Sequence, residues 1–137
     1  MRQALPLLAG WLLIVEHGSR LVFVIIATTV ALVLPVSPEV LEQHRIQWWT
    51  VYYGTITTLI EAPLLMALAV LLLRKHPRAR PILLWVLPIV VVHDIAHSIY
   101  IIDLPLQGAV FSSALDILAW VALLAARPRE LTEPARP

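Results

Sequence analysis

Eight ionisable side chains lie where hydrocarbon would not tolerate them: Glu16, His17, Arg20, Glu61, His93, Asp94, His97 and Asp116. Each sits inside a long apolar run. A charge at the bilayer centre costs roughly 2.5–3.5 kcal/mol even on the lenient insertion scale. Such groups must face one another, pair, or change protonation state. Their spacing favours a shared interior. Glu16 and Arg20 stand one helical turn apart on one face, where they can pair. His93 and His97 have the same spacing. Thr57 and Thr58 precede Glu61 by four and three residues, and Ser112 and Ser113 precede Asp116 likewise.

Carboxyls and imidazoles gathered in oil are suited to moving protons. Burial favours the neutral form of a carboxyl, which would let Glu16 or Glu61 act as general acid while a second group takes a proton back. Arg20 opposes this for Glu16 by favouring its charged form, so Glu61 is the easier acid. The expected catalytic set is Glu16, Glu61, His93, Asp94, His97 and Asp116. Arg20, Tyr53, Thr57, Ser113 and Trp120 are expected to contact the substrate. The competing reading is structural: a hydrogen-bonded network that fixes helix pairing.

The stretch His93-Asp94-Ile95-Ala96-His97 also invites a metal reading. Two imidazoles at i,i+4 can chelate one zinc ion, with Glu61 or Asp116 adding a carboxylate. The zincin pattern has glutamate after the first histidine, and Asp94 stands there instead. Two histidines do not define a site, so no metal and no other cofactor is expected. His44 reads as a solvated loop residue, and His76 as part of a basic membrane anchor.

Four apolar segments must position these groups: Leu5–Leu34, Trp48–Leu73, Pro81–Ile102 and Leu106–Ala126. Each reaches the roughly 20 residues that cross a bilayer as a helix. They are too long for strands and lack alternation. The first is long and polar in its middle, so it should tilt or protrude. Arg2 before an apolar run resembles a signal peptide, but no small-x-small cleavage site follows, and Glu16 and His17 interrupt the run. The segment is kept as the first helix.

Composition agrees. Of the 137 residues, 60% are hydrophobic and 14% charged, against about 25% charged in soluble domains. A net charge of +1 gives no case for nucleic-acid binding. With no cysteine, disulfides, thiolate metal sites and thiol catalysis are excluded. The expected architecture is an all-α integral membrane bundle of four transmembrane helices over residues 1–126. A short disordered tail should follow from Arg127 to Pro137.

Basic residues set the expected orientation. Arg74-Lys75-His76-Pro77-Arg78-Ala79-Arg80 joins the second and third segments, Arg127 and Arg129 follow the fourth, and Arg2 precedes the first. The other two connections carry Glu39 and Glu42 against Arg45, and Asp103 with no basic residue. Both termini should therefore be cytoplasmic, with Trp48, Trp49, Tyr52 and Tyr53 as an outer aromatic belt. Pro63 and Pro88 should kink their helices and leave room for a cavity. Pro105 suits the first turn of the fourth helix. The compact chain fits the inner membrane of a bacterium.

The stretch Gly54-Thr55-Ile56-Thr57-Thr58-Leu59-Ile60-Glu61-Ala62-Pro63-Leu64-Leu65, continuing to Leu72-Leu73-Arg74-Lys75-His76-Pro77, resembles the emopamil-binding protein (EXPERA) family. Ile14-Val15-Glu16 and Val110-Phe111-Ser112-Ser113-Ala114-Leu115 are similar as well. The resemblance implies a membrane bundle around a cavity open to lipid, in which acidic groups protonate a ring alkene. Glu16 matches a functional glutamate of the family. Leu12, Gly54, Ser113 and Asp116 depart from it, standing where the sterol isomerase has histidine, glutamate, asparagine and tryptophan.

The expected function is therefore isomerisation or cyclisation of an isoprenoid or sterol-like molecule by acid–base proton transfer inside the bilayer. A non-catalytic lipid or amine receptor would use the same cavity. A small proton-coupled transporter or accessory subunit would also want midplane carboxylates, and for transport a chain this short should form a homodimer. The expected partners are the lipophilic small molecule and membrane lipid.

Overall fold

Hydrocarbon gives a backbone no water to bond, so a long apolar run satisfies its N–H and C=O groups internally as a helix. The computed structural model describes residues 4–34, 37–39 and 48–126, and its regular structure is all helical. The elements are α1 (Ala4–Val33), α2 (Trp48–Leu73), α3 (Ala79–Tyr100), α4 (Leu106–Ser112) and α5 (Ala114–Ala125). Among the described residues, α1, α2 and α3 are long and apolar enough to cross a membrane, and α4 with α5 make a fourth span if the bent pair counts as one. The outward faces suit lipid: Trp11, Phe23, Trp85 and Phe111 are 59, 71, 77 and 82% exposed. Soluble proteins rarely leave large contiguous apolar surface in water. The side chains of Trp48 and Trp49, Arg2, the loop residues Glu42, His44 and Arg45, and the tail Arg127–Pro137 lie outside the described residues.

The fourth span departs from the single helix expected for Leu106–Ala126. It bends by 60° between α4 and α5, with Ser113 at φ −103°, ψ 11°. The Ser112 hydroxyl donates to the Ala109 carbonyl at 2.7 Å. Such local bonding lets serine compete with the helix ladder. The break gives α5 its own N-terminus, with Ser113 as N-cap and Asp116 in the first turn, where a carboxylate meets the positive end of the helix dipole. Pro105 is the N-cap of α4 rather than a first-turn residue. Both α2 and α3 continue as helices through Pro63 and Pro88.

Helix order follows from the packing. The α1 helix lies against α2 on one side and α5 on the other, α3 lies against α4 and α5, and α2 meets α3 only sparsely. The bundle is thus a ring with one thin seam, between α2 and α3. Its two ends differ. Ala9, Leu13, Leu65, Leu72, Leu83, Leu87, Ala119 and Leu123 form a solid apolar core at the end that carries the α2–α3 turn. A Cβ at Gly10 would come within 2.7 Å of Leu73 Cδ2, so glycine here permits the close approach of α1 and α2. The second half of α1, from Val22 onward, is largely exposed.

Two devices close the apolar end. Lys75 takes φ 57°, with Lys75 N–H donating to Leu72 O and His76 N–H to Leu71 O, both at 2.9 Å. This is a Schellman cap on α2. Arg80 donates to Leu123 O at 3.0 Å and Ala126 O at 2.7 Å, satisfying the last carbonyls of α5. A charged hydrogen bond of this kind is worth about 1.5–3 kcal/mol. Arg80→Ala is therefore expected to lower unfolding stability by about that amount, while Arg80→Lys, which cannot bridge both carbonyls as a fork, recovers part of it. Denaturant titration in micelles reads the difference.

Candidate functional site

Above the apolar core the interior turns polar, and Arg20 on α1 is its hub. The guanidinium donates to Glu16 Oε1 one turn back at 2.6 Å, to Asp94 on α3, and to the Ser112 carbonyl at the end of α4 at 3.1 Å. Asp116 Oδ2 on α5 lies 3.8 Å from the same side chain. A planar fork of several donors can serve several acceptors at once, so one side chain ties together α1, α3, α4 and α5. Behind it, His17 Nε2 donates to Asp116 Oδ1 at 3.0 Å, with the two side chains 1% and 0% exposed. This buried pair fixes α1 against the first turn of α5. Glu16 Oε2, Asp116 Oδ2 and Ser113 Oγ, all deeply buried, have no hydrogen-bond partner among the described residues.

In front of Arg20 lies a cavity of about 460 Å³, within the roughly 300–1,000 Å³ typical of small-molecule sites. His17, Arg20 and Phe23 of α1 line it, with Thr57, Thr58 and Glu61 of α2, His93, Asp94 and His97 of α3, and Ser112 of α4. It faces the thin α2–α3 seam. Glu61 and His93 are 20% and 34% exposed on that wall. His93 Nδ1 points at two carboxylates, 3.4 Å from Asp94 Oδ1 and 3.8 Å from Glu61 Oε2. Its Nε2 shares a 2.8 Å hydrogen bond with the Tyr53 hydroxyl. Tyr53 also stacks on His97, ring centroids 5.5 Å apart at 26°. Beyond these rings a second pocket of about 220 Å³ is lined by Tyr53, His93, His97 and Tyr100. His97 Nε2 is buried without a hydrogen-bond partner among the described residues. It lies 3.6 Å from where a Cβ of residue 54 would be, an ordinary van der Waals distance, so α2 packs closely on this ring at Gly54.

The residues expected from sequence thus divide. Glu61, His93, Asp94 and His97 meet on the cavity wall, with Arg20 and Thr57 beside them. Glu16 and Asp116 are drawn into the same network but sit behind Arg20 and His17, away from the lining. Tyr53 reaches the site through His93 and belongs to the second pocket. Ser113 is fully buried at the helix break, and its neighbour Ser112 lines the cavity instead. Trp120 is elsewhere: its indole N–H donates to Leu84 O at 3.3 Å and its ring packs on the apolar core. His17, not among the expected catalytic set, holds Asp116 and lines the cavity.

Two features bear on chemistry. The His93 and His97 rings are stacked, 6.2 Å apart at 22°. Imidazole lone pairs lie in the ring plane, so stacked rings do not converge on one ion, and the i,i+4 chelate weighed from sequence does not form. Four carboxylates, Glu16, Glu61, Asp94 and Asp116, also share this interior with one guanidinium. No protein family, curated protein or solved structure matches the chain.

Proposed function

We propose that this chain is a membrane-embedded acid–base enzyme that isomerises or cyclises a lipophilic alkene, of the isoprenoid or polycyclic class, within the cavity between α2 and α3. The observation that carries this reading is the His93 imidazole, set between the Tyr53 hydroxyl and the carboxyls of Glu61 and Asp94 on the wall of a cavity inside an apolar bundle. Proton donors and acceptors in contact across one chamber are what double-bond migration requires: one group delivers a proton to an alkene carbon and another removes one from a neighbouring carbon. Glu61 is the acid. It borders the cavity, and the ion pair it makes among the described residues is the long one to His93. His93, backed by Tyr53, takes the proton back. Asp94, held by Arg20, would stabilise developing positive charge on the substrate. The sparse α2–α3 packing offers a lipid-soluble substrate sideways access. The likeness of α2 to the emopamil-binding group points to the same substrate class. The basic turn at Arg74–Arg80 supports an orientation with this end of the bundle, and both termini, on the cytoplasmic side of what we take to be a bacterial inner membrane.

Deuterium exchange tests the proposal. The chain is reconstituted in vesicles with a lipid extract in D2O, and mass spectrometry follows neutral lipids. Deuterium should enter allylic positions of an alkene lipid in the presence of the wild-type chain. No incorporation into any lipid would remove the enzymatic reading. A second reading, a receptor for lipophilic cations, is favoured by the excess of carboxylates over arginine. It predicts saturable amine binding without exchange.

A further inference from the structure

Glu61, His93 and Asp94 each bring one ligand atom to within 4.8 Å of the others. His93 Nδ1 lies 3.8 Å from Glu61 Oε2 and 3.4 Å from Asp94 Oδ1. At such separations they are not hydrogen-bonded, since N–H···O bonds end near about 3.2 Å. The His93–Asp94 separation is that of neighbouring donors on one ion, and the His93–Glu61 separation is slightly longer. A tetrahedral ion with bonds of about 2.0–2.2 Å holds neighbouring donors roughly 3.3–3.6 Å apart.

Outer contacts support the same arrangement. Ligating histidines usually have the far ring nitrogen hydrogen-bonded, and ligating carboxylates have their second oxygen held. His93 Nε2 is bonded to the Tyr53 hydroxyl, and Asp94 Oδ2 is held by Arg20. In both residues the far atom is occupied and the near atom is left facing Glu61. Charge supplies a second, independent reason. Four carboxyls, Glu16, Glu61, Asp94 and Asp116, share the polar interior with one guanidinium, and a dication bound through Glu61 and Asp94 would offset the charge of both once they ionise. Isolated charge in such a medium is expensive.

We propose that Glu61, His93 and Asp94 form a site for a divalent transition-metal ion of the zinc or cobalt type, and that the bound ion inhibits turnover. One imidazole and two carboxylates suit these metals better than calcium or magnesium, which prefer all-oxygen sites. Coordination occupies the acid and the base of the proposed reaction together, so the inhibitory half rests on that function. The binding half does not.

Co²⁺ titrated into the tag-free chain in micelles should give visible ligand-field bands that saturate at one equivalent. Glu61→Gln and His93→Ala should each weaken binding at least tenfold. Tyr53→Phe, which removes only the outer hydrogen bond, should weaken it about 10-fold. His97→Ala should leave the affinity unchanged. Wild-type protein that takes up no Co²⁺, or uptake untouched by Glu61→Gln, His93→Ala and Tyr53→Phe, overturns the site. Zn²⁺ should stop deuterium exchange and a chelator restore it; saturating metal with undiminished exchange overturns the inhibitory half. Stoichiometric Co²⁺ in a chain that never exchanges deuterium supports the site while removing the function.

Discussion

Arg20→Met is expected to lower the stability of the bundle by about 3–5 kcal/mol, the range for removing one partner of a buried ion pair. The reason is what remains behind. Methionine fills much of the same volume, but Glu16, Asp94 and Asp116 would be left around it, with side chains 7, 15 and 0% exposed. The Ser112 carbonyl would also lose a donor at the helix break. Neutralising the acids should therefore rescue the loss. Arg20→Met combined with Glu16→Gln and Asp94→Asn should recover a large part of it, because replacing a whole buried ion network by neutral groups is often tolerated. Unfolding by a denaturing detergent, followed by circular dichroism, measures both. A cost below about 1 kcal/mol, typical of an exposed pair, would show that Arg20 is solvated and not the hub.

Glu61→Gln should act in the opposite way, on chemistry and not on the fold. Deuterium exchange is expected to fall by about 10²–10⁴-fold, the usual contribution of a positioned acid or base. Glutamine keeps the shape and hydrogen bonding of glutamate but delivers no proton. Glu61 is also the carboxylate that the scaffold uses least. Arg20 engages Glu16 and Asp94, and His17 engages Asp116, while Glu61 lies 3.8 Å from His93. Stability should change by less than about 1 kcal/mol, as for substitutions away from packed or paired sites. His93→Ala should lose exchange to a similar degree. Full exchange by Glu61→Gln would move the acid role to another group and leave the fold argument intact.

Helix existence and extent were legible because hydrocarbon thickness dictates them. The Trp48–Leu73 segment matches α2 at both ends, and the α1 and α3 bounds differ by no more than two residues. Contacts within one helix were legible too. Glu16 and Arg20 pair at i,i+4, and His93 and His97 stack at the same spacing. Contacts between helices were not. Asp94 and Arg20 are 74 residues apart, and His17 and Asp116 are 99 apart. Which faces meet depends on helix rotation and order, and helices that are apolar nearly all round carry little of that information. Hence Trp120, which looks like a cavity aromatic, spends its indole N–H on Leu84 in the solid core. The break at Ser113 was missed because no proline or glycine marks it. A signal existed: Ser113-Ala114-Leu115-Asp116 before an apolar run has the spacing of a capping box. The structure starts α5 there, although Ser113 makes no side-chain cap bond.

Charged groups on separate spans converge on one interior, and the contact that states this most plainly joins Arg20 of α1 to Asp94 of α3. A double-mutant cycle with Arg20→Met, Asp94→Asn and their combination, read as unfolding free energy in micelles, isolates that contact. Coupling of about 1–3 kcal/mol is expected, as for residues in one ion network. Effects that add to within about 0.3–0.5 kcal/mol, as for distant sites, would mean that the two side chains do not meet and that the shared chamber does not exist.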